Sequence, residues 1–183
     1  ISRCSTTVRM SSERHLIERI RRRLPSGAGG GLVLGIGDDA AIIRPGGRRP
    51  ANWVVTTDAF IENIHFIPDV HPAQAVGYKA LARATSDIAA MGALPRYFFL
   101  NLALPQKRTE KWLDGFLAGM ARAAHEFGLV LAGGDTTKQS RIAINITVIG
   151  TVSPGREVRR STAKPGDVVF VSGRLGEAGL GLR

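Results

Sequence analysis

Apolar and polar positions change period several times along this 183-residue chain. Leu16, Ile17, Ile20 and Leu24 recur at helical spacing, with Ser11 or Ser12 as a cap and Pro25-Ser-Gly as a stop, so a helix is predicted over 11–24. Short apolar runs at 32–35 and 40–43 predict two strands around Gly35-Ile-Gly-Asp-Asp39, and Pro45-Gly-Gly47 predicts a turn. The run 53–57 predicts a third strand, ending in Asp58. Pro72 opens a helix reaching Met91, with Val76, Ala80, Ala84 and Met91 on one face and Gly92 as its stop. A strand over 97–104 is closed by Pro105. Thr109 then caps a helix striped by Trp112, Leu113, Phe116, Leu117, Met120, Ala124 and Phe127, which Gly128 ends. Residues 129–132 predict a strand running into a Gly-Gly-Asp turn. Ile142, Ile144, Ile146 and Val148 alternate with Ala143, Asn145 and Thr147, the period of a strand with one face more buried.

The texture changes after Gly150. Residues 151–155 are turn-rich, 156–164 are basic, Lys164-Pro-Gly-Asp167 reads as a tight turn and 168–171 as a buried strand. The chain therefore divides into a basic N-terminal segment with its helix (1–25), one α/β domain (26–150), and a linker with the beginning of a second α/β domain (151–183). It starts at Ile1 rather than Met, with Met10 a plausible start, and stops inside a helical pattern at Leu180-Gly-Leu-Arg183. Those are the ends expected of a fragment. The Gly27-Ala-Gly-Gly-Gly31 stretch has Leu32 where a dinucleotide fingerprint needs its third glycine, and it lacks the Lys-Ser/Thr ending of a P-loop, so it reads as a linker.

Charge changes this picture less than its net value of +10 suggests. Half of the surplus lies in residues 1–25, where seven arginines face Glu13 and Glu18, and the rest is thinly scattered. A nucleic-acid binder concentrates charge on one face and adds stacking aromatics, so no nucleic-acid partner is expected. A moderate positive excess suits a protein that handles polyphosphates. No apolar run approaches the roughly 18 residues of a spanning helix, so no membrane role is expected. The single cysteine, Cys4, excludes an internal disulfide and suits a reducing, cytoplasmic setting.

Candidate chemistry lies in four short acidic clusters: Gly37-Asp38-Asp39, Thr56-Thr57-Asp58, Ser86-Asp87, and Gly133-Gly134-Asp135-Thr136-Thr137. Each sits where an apolar segment begins, ends or is interrupted. Together they suggest a site for hard divalent cations, because Mg²⁺ prefers carboxylate oxygens and shares them with a substrate's phosphates. Asp87 lies on the packing face of its helix, where a carboxylate needs either a cation or a buried pair with Arg83 or Lys79. Adjacent Asp38 and Asp39 point apart, so one of them is expected to face the site. Asp58 and Asp135 follow strands, where ligands collect in α/β sheets, and the glycines before Asp135 could form an anion nest. His65 could touch an anionic substrate or be structural, and Arg160 and Lys164 could reach a phosphate or be solvated. No Ser-His-Asp order, Cys-His pair or Cys-x-x-Cys offers a covalent nucleophile or a zinc site.

Taken together, Gly35-Ile-Gly-Asp-Asp-Ala-Ala41, Thr56-Thr-Asp58 with His65-Phe66, Tyr78-Lys-Ala-Leu-Ala82, Ser86-Asp-Ile-Ala-Ala-Met-Gly-Ala93, Gly133-Gly-Asp-Thr-Thr137, and Arg160 through Ala163-Lys-Pro-Gly-Asp167 resemble the thiamine-monophosphate kinase family. The resemblance runs over residues 12–183. It implies the fold of the aminoimidazole ribonucleotide synthetase-like superfamily, an α/β fold of the α+β type whose mixed sheet has flanking helices. It also implies ATP-dependent phosphorylation of thiamine monophosphate to thiamine diphosphate, with Mg²⁺ as cofactor, ATP as co-substrate, and a homodimer formed through the N-terminal domain. Carried over by motif, Asp39, Thr56, Thr57, Asp58, Asp87 and Asp135 would hold Mg²⁺, Gly134, Asp135 and Arg160 would bind ATP, and His65 would contact thiamine monophosphate. No catalytic nucleophile is implied. The family's chain continues well beyond this one and supplies a further Ser-Asp-Gly motif, so these 183 residues alone are expected to be inactive. Alternatives are a sister enzyme, such as aminoimidazole ribonucleotide synthetase or selenophosphate synthetase, and a non-catalytic, metal-stabilised dimerisation module.

Overall fold

The computed structural model describes residues 32–35, 38–46, 51–108, 110–171 and 173–177. The predicted helix over 11–24, the glycine linker after it, Thr109 as a cap, and the helical pattern at Leu180 lie outside the described residues.

Six strands form one mixed sheet: β1 (Leu32–Leu34), β2 (Ala41–Ile43), β3 (Asn52–Ile61), β4 (Leu94–Leu104), β5 (Val130–Lys138) and β6 (Ala143–Val152). Their spatial order is β1-β2-β3-β6-β4-β5. All pairs are antiparallel except β4 with β5. A parallel neighbour needs a crossover, and the helix α2 (Lys111–Phe127) supplies it between β4 and β5. The helix α1 (Ala73–Ala90) joins β3 to β4, which flank β6. The observed architecture is thus the α/β class with a mixed sheet and helices that the motifs implied.

The alternating strand is borne out. Ile144, Ile146, Val148 and Val152 of β6 are buried against the helices, and Ile142 just before it is also buried. Val54, Phe60, Phe98, Leu102 and Leu104 complete that face, while α1 contributes Val76, Ala80, Leu81, Ala84 and Ile88. The helices cross closely because glycines meet there. A Cβ on Gly77 would lie 2.0 Å from the Phe116 carbonyl oxygen, and one on Gly119 would lie 1.8 Å from that of Gln74. An aromatic column runs from Phe60 through Phe66 and Trp112 to Phe116, with successive ring centroids 5.3, 6.4 and 5.3 Å apart.

Three expected boundaries change. β3 does not end at Asp58 but runs on to Ile61, because β6 pairs with it residue for residue from Asn52↔Val152 to Ile61↔Ala143. The Gly-Gly-Asp segment is no turn. β5 passes straight through it in parallel register with β4, from Phe99↔Gly133 to Leu104↔Lys138. The run Val168–Val171 is not a buried strand: its four residues are 57–88% exposed and unpaired, since no strand or helix among the described residues covers them. The turn before it is present, with the Asp167 N–H donating to the Lys164 carbonyl at 3.1 Å.

Candidate functional site

The pleat of β3 sorts its Thr-Thr-Asp motif. Buried Thr56 shares the helix-facing side of the sheet with Val54 and Phe60, and Asp58 falls on the same side by alternation. Thr57 faces the other way, where its hydroxyl meets that of Thr147 across the β3–β6 pair at 3.1 Å. Asp87 comes down from the last turn of α1, and the Thr56 hydroxyl donates to its Oδ2 at 2.9 Å. The same hydroxyl lies 3.4 Å from the Asp39 carbonyl oxygen at the entrance to β2. Thr56 therefore ties a loop, a strand and a helix to one point.

The carboxylates of Asp39 and Asp58 lie near enough to Asp87 for their charges to act on it. Burial pushes the Asp87 carboxyl above its ordinary range; the Thr56 hydrogen bond opposes this, and the charges of Asp58 and Asp39 push it further up. Two arginines answer the excess of negative charge. Arg83 forms an ion pair with Asp58, Nε to Oδ2 at 3.0 Å. Arg160, beyond the domain's last strand, contacts Asp39 through Nη2, and its Nε is 3.8 Å from Asp38 Oδ1. Its backbone N–H also donates to Asp38 Oδ2 at 3.3 Å. Asp39, foremost by its hydrogen bond and then by its charge, raises the pKa of Arg160 above its ordinary value.

The remaining predicted residues lie elsewhere. Gly134 and Asp135 are on β5, the outer strand of the sheet, every residue of which is exposed. Asp135 stands three strands from β3, and its Oδ1 accepts the Thr136 N–H at 2.8 Å. Gly134 is pressed against β4 so closely that a Cβ would fall 1.9 Å from the Leu100 carbonyl oxygen. A cavity of about 320 Å³ opens beside this strand, with Leu102, Leu104, Leu113, Thr136 and Lys138 in its wall. His65 sits in the turn after β3, which Asn63 enters with a left-handed φ of 62°. The imidazole accepts the Ile61 N–H at Nδ1 (3.0 Å), which leaves the proton to Nε2, and it stacks on Phe60 at 5.3 Å.

Two members of the cluster were read differently from sequence. Arg83 was considered as a partner for Asp87 but pairs with Asp58; its position one helical turn before Asp87 was the available signal. Asp38 was expected to turn away from Asp39, yet both meet Arg160.

All the clustered donors are oxygens, and the four carboxylates of Asp38, Asp39, Asp58 and Asp87 face only the two guanidinium groups of Arg83 and Arg160, so the set fits a hard divalent cation. Among the described residues no three Asp, Glu, His or Cys side chains close on a single point tightly enough to hold an ion. Thr56, Arg83 and Arg160 occupy the carboxylate edges that would have to turn inward.

This sheet, with its helices on one side and its acidic centre between them, defines a class. The profile described as AIR synthase related protein, N-terminal domain, matches residues 37–152, and the chain belongs to that family. Within it, the chain is similar to thiamine-monophosphate kinases. The one from Bacillus subtilis is 39% identical over 150 residues, 81% of this chain and 46% of that protein. The one from Synechococcus elongatus is 40% identical over 146 residues, 80% and 44%. The chain thus spans a little under half the length of these curated relatives. Among solved structures, AaThiL complexed with AMPPCP and TMP superposes with a TM-score of 0.82 at 33% identity, covering 97% of this chain and 55% of that one. Thiamine monophosphate kinase from Aquifex aeolicus gives 0.77 at 32% identity, covering 94% and 55%. Among the described residues no helix is long and apolar enough to cross a membrane.

Proposed function

We propose that this domain belongs to a thiamine-monophosphate kinase, which transfers the terminal phosphoryl group of ATP to the phosphate of thiamine monophosphate. One observation supports the reading: the Thr56 hydroxyl joins the Asp87 carboxylate to the Asp39 backbone, the charges of Asp39 and Asp58 act on Asp87, and Arg160 pairs with Asp39. The similarity to kinases of that name, and to a structure holding AMPPCP and TMP, supports it.

The acceptor is already an anion, so it needs no strong general base. One of its phosphate oxygens bonds to the terminal phosphorus of ATP as the bond to the bridging oxygen breaks and ADP leaves. Catalysis is then alignment and charge neutralisation of two mutually repelling polyanions. Asp39, Thr56, Asp58 and Asp87 would hold Mg²⁺ on the helix side of the sheet; Thr57, whose hydroxyl faces the other way, and Asp135, three strands off, would serve only further Mg²⁺ ions apart from that one. When bound, Mg²⁺ supplies concentrated positive charge to the phosphates. Arg160, anchored through Asp38 and Asp39, contacts ATP together with Gly134 and Asp135. His65 presents Nε2–H to thiamine monophosphate.

The assembly is a cytoplasmic homodimer joined through this domain. The open face of the sheet supports that reading, because Trp53, Tyr97 and Phe99 lie exposed on it. Residues 26–150 form the ATP- and Mg²⁺-binding domain, and 151–183 a linker with the beginning of a second. The uncovered run from Val168 to Val171 supports a further domain packing there.

The test is ADP release by the full-length protein with Mg²⁺-ATP and a panel of acceptors. Release requiring thiamine monophosphate, and no turnover by the 183 residues alone, is expected. Release only with the substrate of aminoimidazole ribonucleotide synthetase or selenophosphate synthetase would move the protein to a sister family. A folded protein that releases none would sink the catalytic reading.

A further inference from the structure

Arg83 stands at Asp58, beside the acidic cluster, and over the ring of Phe60. It lies on α1 one turn before Asp87, and its Nε faces Asp58 at 3.0 Å. Its guanidinium also lies over the Phe60 ring, 6.0 Å from the centroid, and Phe60 stacks on His65. The side chain is 42% exposed, and among the described residues no second carboxylate forms an ion pair with it. A guanidinium is a planar fork of five N–H donors, so pairing through Nε leaves the Nη edge available.

A phosphorylated acceptor must approach three carboxylates of its own sign. Like charges a few ångströms apart still repel strongly at the effective dielectric of a protein surface. A fixed cation at the rim, already oriented by one of those carboxylates, offsets that repulsion and matches the geometry of a phosphate. We propose that Arg83 is the acceptor-phosphate contact: its Nη edge takes the phosphate monoester while Nε stays on Asp58. This rests on the kinase reading and adds the residue that selects a phosphorylated acceptor over the free alcohol.

The full-length protein is compared with its Arg83→Gln and Arg83→Lys variants by steady-state kinetics, by calorimetric titration with thiamine monophosphate in the absence of ATP, and by Mn²⁺ titration. Arg83→Gln is expected to raise both KM and Kd for thiamine monophosphate about tenfold to a hundredfold, the range for a hydrogen bond to a charged group. KM for ATP and the Mn²⁺ affinity should stay within about threefold, and Arg83→Lys should recover only part of the loss because an ammonium cannot present a fork. Unchanged binding of thiamine monophosphate overturns the proposal. So does an equal loss of Mn²⁺ affinity, which would mean that Arg83 only holds Asp58. If the wild-type protein transfers nothing to thiamine monophosphate, the kinase reading fails separately. Titration with inorganic phosphate then decides: binding that depends on Arg83 keeps the anion contact, and its absence removes it.

Discussion

Two Asp-bearing motifs of similar composition meet opposite fates in this sheet. Thr56-Thr57-Asp58 lies on β3, between two antiparallel neighbours and under a helix, and Thr56 and Asp58 are drawn into contact with Asp87 and Arg83. Gly134-Asp135-Thr136 lies on β5, at the edge of the same sheet, and is exposed throughout. The first motif is a cluster in which the protein itself supplies a partner to each polar side chain on the helix side, Asp87 to Thr56 and Arg83 to Asp58. The second is a surface held flat by its glycines. Composition suggests a ligand in both cases; the position of the strand decides whether the protein also supplies the partners.

The sharpest way to break the comparison is Asp58→Asn. If the proposed kinase reading holds, removing this carboxylate from the full-length protein should lower kcat/KM for thiamine monophosphate about 10²- to 10³-fold, the scale for one preorganised electrostatic group. Stability should change by less than about 1 kcal/mol, because the Arg83 pair is partly solvated. Parallel measurement of ADP release and thermal unfolding separates the two. An enzyme that keeps its rate would make the built cluster structural.

Gly134→Val tests the other motif through its backbone. The Leu100 carbonyl oxygen lies 1.9 Å from where the Cβ would be, so β5 must move off β4. Overpacking of this kind costs about 1–3 kcal/mol, which lowers the Tm of a chain this size by several degrees, about 2–4 °C per kcal/mol. Calorimetry checks it, and an unaltered Tm would mean that the edge strand is not held by close contact.

The same contrast explains what could be read from sequence. The alternation in β6, the stripe of α2 and the helix after Pro72 were legible because burial writes a period into the chain. Of the four acidic clusters picked out in the sequence, the structure brings those of Asp38-Asp39, Asp58 and Asp87 near one another and leaves that of Asp135 apart. The extent of β3 was not legible, since the length of β6 fixes it and Thr56-Thr57-Asp58 reads locally as a strand end. Nor was the extended course of Gly133 and Gly134, because glycine pairs signal turns unless a neighbouring backbone comes too close for a side chain. The partner of Arg83 was not legible either, since helix spacing offers it to Asp87 and only the β3–α1 packing brings Asp58 to it. The apolar run at Val168–Val171 shows the limit from the other side, for composition predicted a buried strand and packing did not supply the cover.

Asp87→Asn should move stability the other way. The Asp87 carboxyl is held above its ordinary range by burial first, and Asp58 and Asp39 add to the upward push, so its charge works against the fold at neutral pH. An amide can still accept from the Thr56 hydroxyl. A modest gain in the stability of metal-free protein is expected, because the substitution removes a charge that its surroundings disfavour, together with loss of the stabilisation that added Mn²⁺ gives the wild type. A destabilised, metal-responsive variant would count against a strained acidic centre.

The smallest effect expected is on pH. Glu157 fixes the segment that carries Arg160 to Asp39: its side chain is 5% exposed, its Oε2 accepts the Gly155 N–H at 2.8 Å, and its Oε1 contacts Arg159. Its carboxyl is held below the ordinary glutamate value of 4.5, with its own backbone N–H as the leading cause and Arg159 contributing. A depressed carboxylate contributes stability that is fully present above the unfolded value and is lost as pH falls through the folded one. Acidification below 4.5 should therefore loosen the segment from Glu157 to Arg160 before the sheet responds. Amide exchange at Val158, whose N–H bonds to the Met91 carbonyl at 3.1 Å, reports on it directly. In Glu157→Gln that protection should be weaker at neutral pH and should lose its dependence on acid. If protection at Val158 and at β6 instead falls together, Arg160 belongs to the built site as firmly as Thr56 does, and the boundary between the two regions lies beyond it.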